Sequence, residues 1–186
     1  MDNKHTKSLQ ERTDAKLRYA RVHLDELKSQ GPPSGNDFDK AHQESFLFHL
    51  LGTRDAFLAE LNHYYRAGVA PDGLALGRIR AALKEQGTTS SELRTLYELE
   101  QDESSWYCKA KDMRDHSTHV QGVPRAYFLG GENHQKVKLK NPRTGLLTER
   151  HFIFEFDDWL YQMETLVLSL RESALSNVRP EPPPTE

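Results

Sequence analysis

Residues 89–120 read TSSELRTLYELEQDESSWYCKAKDMRDHSTHV, and the period of this stretch sets the fold class. Thr89 stands three residues before Glu92, the spacing at which a hydroxyl and a carboxylate each satisfy an orphan backbone N–H at a helix start. Leu93, Leu96, Leu99, Trp106, Ala110 and Met113 then recur at steps of three, four and seven. Those steps put them on one stripe of a helix, so a single helix is expected from Thr89 to about Val120. Gly122 and Pro124 end it, because proline lacks the N–H that the next turn needs.

The same period runs through everything before this stretch. From Lys7 to Gln30, Leu17, Ala20, Leu24 and Leu27 share one stripe, and Gly31, Pro32 and Pro33 stop the helix. A second, long helix is expected from Asp37 or Asp39, either serving as its cap, towards Gly68. Its inward side is read as Phe38, Ala41, Phe48, Leu51, Phe57 or Leu58, Leu61 and Tyr65. A shorter helix follows Pro71-Asp72-Gly73, with Leu76, Ile79 and Leu83 inward and Gly87 as its stop.

After Pro124 the period changes from 3.6 to two. Gly130-Gly131 reads as a loop, and lysines then alternate with Val137 and Leu139 from Lys136 to Lys140, as in a half-buried strand. Asn141 to Gly145 has turn composition, and Leu146 to Phe156 supplies a second strand for a hairpin. Asp157 or Asp158 then caps a last helix carrying Trp159, Met163, Leu166, Val167, Leu170 and Ala174. The expected fold is an all-α bundle of about five helices with a small β-hairpin inserted before the last one. Residues 1–178 form one domain in this reading, and the four prolines of Arg179 to Glu186 mark a disordered tail.

Composition narrows the function. The chain has 186 residues, 25 Lys and Arg against 28 Asp and Glu, and a net charge of −3. That balance excludes a generic basic nucleic-acid coat and a disordered polyelectrolyte. One cysteine, Cys108, excludes an internal disulfide framework and a cysteine zinc knuckle, and it fits a reducing compartment. No apolar run reaches the ~18 residues of a spanning helix, and the first 30 residues are too charged for a signal peptide. A cytoplasmic protein with no membrane partner is expected. The charge is uneven: residues 109–150 hold nine basic and four acidic side chains, and residues 155–186 two basic and seven acidic.

Chemistry concentrates at the end of the opening stretch. Lys109, Lys111, Arg114, Asp115, His116, Ser117, Thr118 and His119 gather cations, a carboxylate, hydroxyls and two imidazoles at one helix end. Histidine takes and gives a proton near neutral pH, and arginine presents a planar fork to phosphate oxygens. Together they suffice to cleave RNA without metal, the guanidinium steadying the charge of the transition state. On a straight helix five positions separate Arg114 from His119 by about 140°, so a loosened helix end or a second subunit must bring them to one pocket. Asp115 and His119, four apart, are direct neighbours. His116 and His119 lack a second two-ligand motif, so no metal or other cofactor is expected.

With four residues between Arg114 and His119 and a polar Asp115 after the arginine, the chain resembles the HEPN superfamily over roughly residues 37–177. That superfamily consists of small helical bundles with an arginine, four to six residues, then a histidine. The resemblance implies a homodimer with the two motifs facing across its two-fold axis, and for many members a metal-independent endoribonuclease of toxin or defence type. It assigns His119 as general acid and base, Arg114 as stabiliser of the phosphoryl charge and Asp115 as the group orienting the imidazole. Lys109, Lys111, His116, Lys136, Lys138 and Lys140 are the expected RNA contacts, and a cognate antitoxin or other protein partner is an expected associate. The other reading from the same fold is a non-catalytic helical dimer that binds a protein partner or a nucleotide.

Overall fold

The structure, a computed structural model, describes residues 3–30, 36–120, 122–128 and 137–177. Its helices are α1 (Asn3–Ser29), α2 (Asp37–Tyr64), α3 (Leu76–Glu85), α4 (Ser91–Gln101), α5 (Trp106–His119) and α6 (Phe152–Asn177). Strands β1 (Arg125–Tyr127) and β2 (Val137–Leu139) pair antiparallel between α5 and α6, and a 3-10 turn covers Pro71–Gly73. The chain is an all-α bundle with a small two-stranded sheet before the last helix. Among the described residues no helix is long and apolar enough to cross a membrane.

The helix stripes read from sequence largely face inward. Ala20, Leu24 and Leu27 of α1, and Leu76, Ile79 and Leu83 of α3, are buried, as are Trp159, Met163, Val167, Leu170 and Ala174 of α6. One core joins them to α2, α4 and α5, with the Phe46 and Phe156 rings stacked at 4.4 Å near its centre. Helices α1 and α6 run antiparallel and are tied by ion pairs seven residues apart: Lys28–Asp157 at 2.7 Å, Arg21–Glu164 at 2.7 Å and Asp14–Arg171 at 2.9 Å. Arg171 also donates to the fully buried Glu60 at 2.8 and 2.9 Å. Burial works against its charge, and the hydrogen bonds and charges of Glu60 and Asp14 more than offset this, holding its pKa above the ordinary value.

Several expectations are corrected. The helix expected over 89–120 is two helices, broken at Asp102–Ser105, so six helices stand where about five were expected. Ser105 caps α5 by accepting from the Cys108 N–H at 3.1 Å and donating to the Leu99 carbonyl of α4 at 2.9 Å. Asp102 Oδ1 accepts from the Ser104 N–H at 2.9 Å and from its hydroxyl at 2.6 Å, and these local bonds outcompete helical continuation. The cap of α4 is Ser90 and not Thr89, accepting from the Leu93 N–H at 3.1 Å. Asn36, and neither Asp37 nor Asp39, caps α2 by accepting from the Asp39 N–H at 2.8 Å.

On α2 the inward side begins with the polar Asp39 and Gln43 and its apolar part with Phe46, Leu47 and Leu50, while Phe38, Ala41 and Phe48 are exposed. Leu51, Phe57, Leu58 and Leu61 are buried and Tyr65 is half-buried. Strand β2 pairs with residues 125–127 and not with Leu146–Phe156, which offers it only a single bridge, Lys140 to Leu147. Helix α6 begins at Phe152, five residues before the expected caps, because Phe152 and Phe156 both reach the core from a helix. Gly31, Pro32, Pro33, Gly130, Gly131, Lys136 and the tail over 179–186 lie outside the described residues.

Candidate functional site

The cluster at the end of α5 forms on a helix that stays regular through His119. Arg114 and His119 therefore point about 140° apart, and the loosened helix end that would join them is absent. Arg114 is half-buried and donates from Nε and Nη2 to Asp115 Oδ1 at 3.0 and 2.7 Å. Asp115 thus faces the arginine, and no hydrogen bond joins it to His119, which is exposed at the last helical position. His116 is half-buried, and its carbonyl accepts the Val120 N–H that closes the helix at 2.9 Å.

The expected lysine contacts are scattered. Lys109 and Lys111 are exposed on α5, and Lys140 is exposed beside the sheet. Lys138 alternates outward between buried Val137 and Leu139, its Nζ 5.5 Å from the Phe128 ring centre. Lys136 is outside the described residues. Part of the basic excess of this region is neutralised by carboxylates mostly outside it. Arg143 pairs with Asp112 at 2.6 Å and Glu103 at 3.1 Å, and Arg150 with Glu155 at 3.3 Å and Asp158 at 3.5 Å. Among the described residues no group of three or more His, Cys, Asp or Glu is placed to hold a metal ion.

A second arrangement, unread in the sequence, lies at the far end of α2. There a groove of about 1280 Å³ opens between the α2 terminus, α3 and the start of α4. Among the described residues its lining includes Arg66, Arg80, Lys84 and Arg94, the hydroxyl residues Thr88 to Ser91, and no Asp or Glu. Arg80 lies 4.0 Å over the Tyr97 ring, and Arg94 is only loosely paired with Glu98 at 3.9 Å. Arg66 holds a left-handed backbone, φ 52°, at the end of α2, where glycine is the usual residue. A cationic side chain is thus kept at a position that disfavours side chains.

Behind the groove sits Glu92, fully buried and held without a salt bridge. Tyr65 Oη donates to it at 2.5 Å, Ser90 Oγ at 2.7 Å, and Ser91 Oγ and Asn177 Nδ2 at 3.1 Å each, with Ser173 Oγ as a further donor. Burial alone would raise its pKa; hydrogen bonds from Ser173, Tyr65 and Ser90 overcome this and hold it at about 2. Tyr65 is pushed up to about 12, by burial first and then by its bond to Glu92. The carboxylate ties the end of α2, the start of α4 and the last turns of α6 together. The sequence signal for this site is faint: Arg80 and Lys84, four apart, sit on the polar face of α3.

No curated protein and no solved structure matches the chain. A family model described as a family of unknown function, DUF6586, matches residues 8–176. Over nearly all of its described helices, then, the chain belongs to the DUF6586 family.

Proposed function

We propose that this protein binds a phosphate-bearing anion, of the nucleotide class, in the groove between α2, α3 and α4, and that it is a binding module in this role. One observation carries the reading: among the described residues Arg80, Lys84 and Arg94, and no carboxylate, line one groove of a chain whose net charge is −3. Arginine forks and a lysine suit phosphate oxygens. Titration calorimetry of the full chain with ATP, pyrophosphate and adenosine tests it. ATP and pyrophosphate should bind and adenosine should not. The Arg80→Glu, Arg94→Glu double variant should weaken both by at least tenfold. Absence of pyrophosphate and ATP binding at low salt would sink the reading.

A second reading keeps the α5 cluster as a metal-independent endoribonuclease site. It is favoured by Asp115 and His119 sharing one face of α5, one turn apart, at an exposed helix end. A second copy would then have to bring its own motif opposite, because one chain holds Arg114 and His119 on different faces. A gel assay on mixed RNA in EDTA separates the two. Cleavage by wild type that is lost in His119→Ala and kept in the groove variant supports the nuclease. No cleavage by either leaves the groove as the functional site.

A further inference from the structure

Helix α6 carries an apolar row on its solvent side that the bundle does not use. Phe154, Tyr161, Leu168 and Leu175 stand seven residues apart and are 60%, 66%, 56% and 46% exposed. Its buried stripe, from Phe152 to Ala174, faces the other way. At 1.5 Å per residue the row spans about 32 Å, nearly the whole helix. A repeat of seven drifts by only about 20° per step on a 3.6-residue helix, so the row stays on one face along the length of α6.

Two features identify the occupant. The row is graded in size, aromatic in its first half and leucine in its second. Turned end to end against itself, each aromatic ring meets a leucine, which gives the large-against-small filling that packed helices require. A two-fold pair needs one patch that complements itself, and this grading supplies it. The edge charges are the second feature. The acids beside the row are neutralised within their own chain: Asp157 by Lys28, Glu164 by Arg21, and Glu155 and Asp158 by Arg150. Glu172 is the one acid of α6 without an ion pair among the described residues. Two such helices therefore meet with little like-charge repulsion.

We propose that α6 packs antiparallel against α6 of a second copy of this chain, Phe154 facing the partner subunit's Leu175 and Tyr161 the partner subunit's Leu168. The two-fold axis then passes near Thr165. The row offers on the order of 400 Å² of apolar surface per chain, from aromatic and leucine side chains about half exposed. Polar edges of α6 and α1 supply the rest of the ~800 Å² that each partner gives to an interface of standard size. This face is separate from both the α5 cluster and the groove.

Sedimentation equilibrium of the full chain, with circular dichroism to confirm folding, tests the proposal. Wild type should sediment as a dimer at micromolar concentration. Tyr161→Glu with Leu168→Glu, both at exposed positions, should raise the dissociation constant at least a hundredfold with helicity unchanged. Phe48→Glu, an equally exposed aromatic on α2, should leave the dimer intact. Oxidised Thr165→Cys should form a covalent dimer and Ser176→Cys should not, since the antiparallel pair sets the two copies of residue 176 about 35 Å apart along the axis. A wild-type monomer at 100 µM would overturn the proposal, as would a dimer indifferent to the double glutamate variant or one broken by Phe48→Glu. Equal cross-linking at 165 and 176 would overturn the antiparallel arrangement.

Discussion

Two regions of this molecule set arginines near a carboxylate, and they do so in opposite ways. At the end of α5, Asp115 accepts directly from Arg114 at 2.7 and 3.0 Å, so the two charges are spent on each other at the surface. At the start of α4, Glu92 is buried and satisfied by hydroxyls and an amide, and Arg80, Lys84 and Arg94 line a groove beside it. The difference teaches that a count of basic residues is a poor guide to where an anion binds. What matters is whether each cation already has its carboxylate. By that measure Arg114, Arg143 and Arg150 of the basic segment are already taken, and its exposed lysines are spread over separate elements.

The comparison breaks first at Glu92. Glu92→Ala strands five donors in or near the core, and a loss of about 3 kcal/mol of unfolding free energy is expected in urea titration. Glu92→Gln, which keeps one acceptor, should lose clearly less. A loss under 0.5 kcal/mol for the alanine variant would mean that Glu92 does not hold the groove wall.

Acid offers the next test. The folded Glu92 sits at about 2 and an unfolded glutamate near 4.3, so its contribution is complete above about pH 5 and is lost as pH falls towards 2. Wild type should lose stability through that window more steeply than Glu92→Gln. Parallel curves would remove the carboxylate from the account.

A milder dependence is expected higher on the pH scale, from the seam between α1 and α2. There His23 Nδ1 lies 3.1 Å from His42 Nδ1, and the His23 and His49 rings stack at 5.5 Å. Burial lowers the pKa of His23, with His42 adding to this and Glu26 opposing it. Burial lowers His49 as well, with Lys16 and His23 adding. The unfolded chain takes up these protons first, so stability should fall as pH drops through about 6.5, the unfolded value. His49→Gln should flatten that slope in thermal melts at pH 7.5 and 5.5, and an unchanged slope would place the titration elsewhere.

The smallest effect belongs to the α5 cluster. Asp115→Asn removes one partly exposed ion pair, and a change of no more than about 0.5 kcal/mol is expected from the same urea titration. A cost comparable to that of Glu92→Ala would erase the contrast between the two regions.

Particular residues show where sequence reading stopped. The break at Asp102–Ser105 was hidden because Leu99 and Trp106, seven apart, keep helical phase across it. The serine caps that mark it were in plain view, and only the bond from Ser105 to the Leu99 carbonyl shows which one acts. The run from His151 to Phe156 alternates like a strand, yet Phe152, Phe156, Trp159 and Met163 also fit a helix. The stack of Phe156 on Phe46 settles the choice, and that contact spans 110 positions of chain. The α5 cluster was legible because its residues are consecutive; the groove was not, because Arg66, Arg80 and Arg94 come from three separate elements.

The sequence by itself determined the helices with one-sided stripes: α1, α3 and most of α6, where a single apolar face leaves one way to bury it. It also determined the outward alternation of lysine 138 about Val137 and Leu139. Tertiary structure decided the rest. On α2, Phe46, Leu47, Phe48, Leu50 and Leu51 surround the helix, so hydrophobicity names no inner face. Packing against α1, α5 and α6 buries all but Phe48. The partner of β2 and the groove lined by Arg66, Arg80 and Arg94 were decided the same way. Each rests on contacts between residues distant in the chain, and local periodicity carries no record of those.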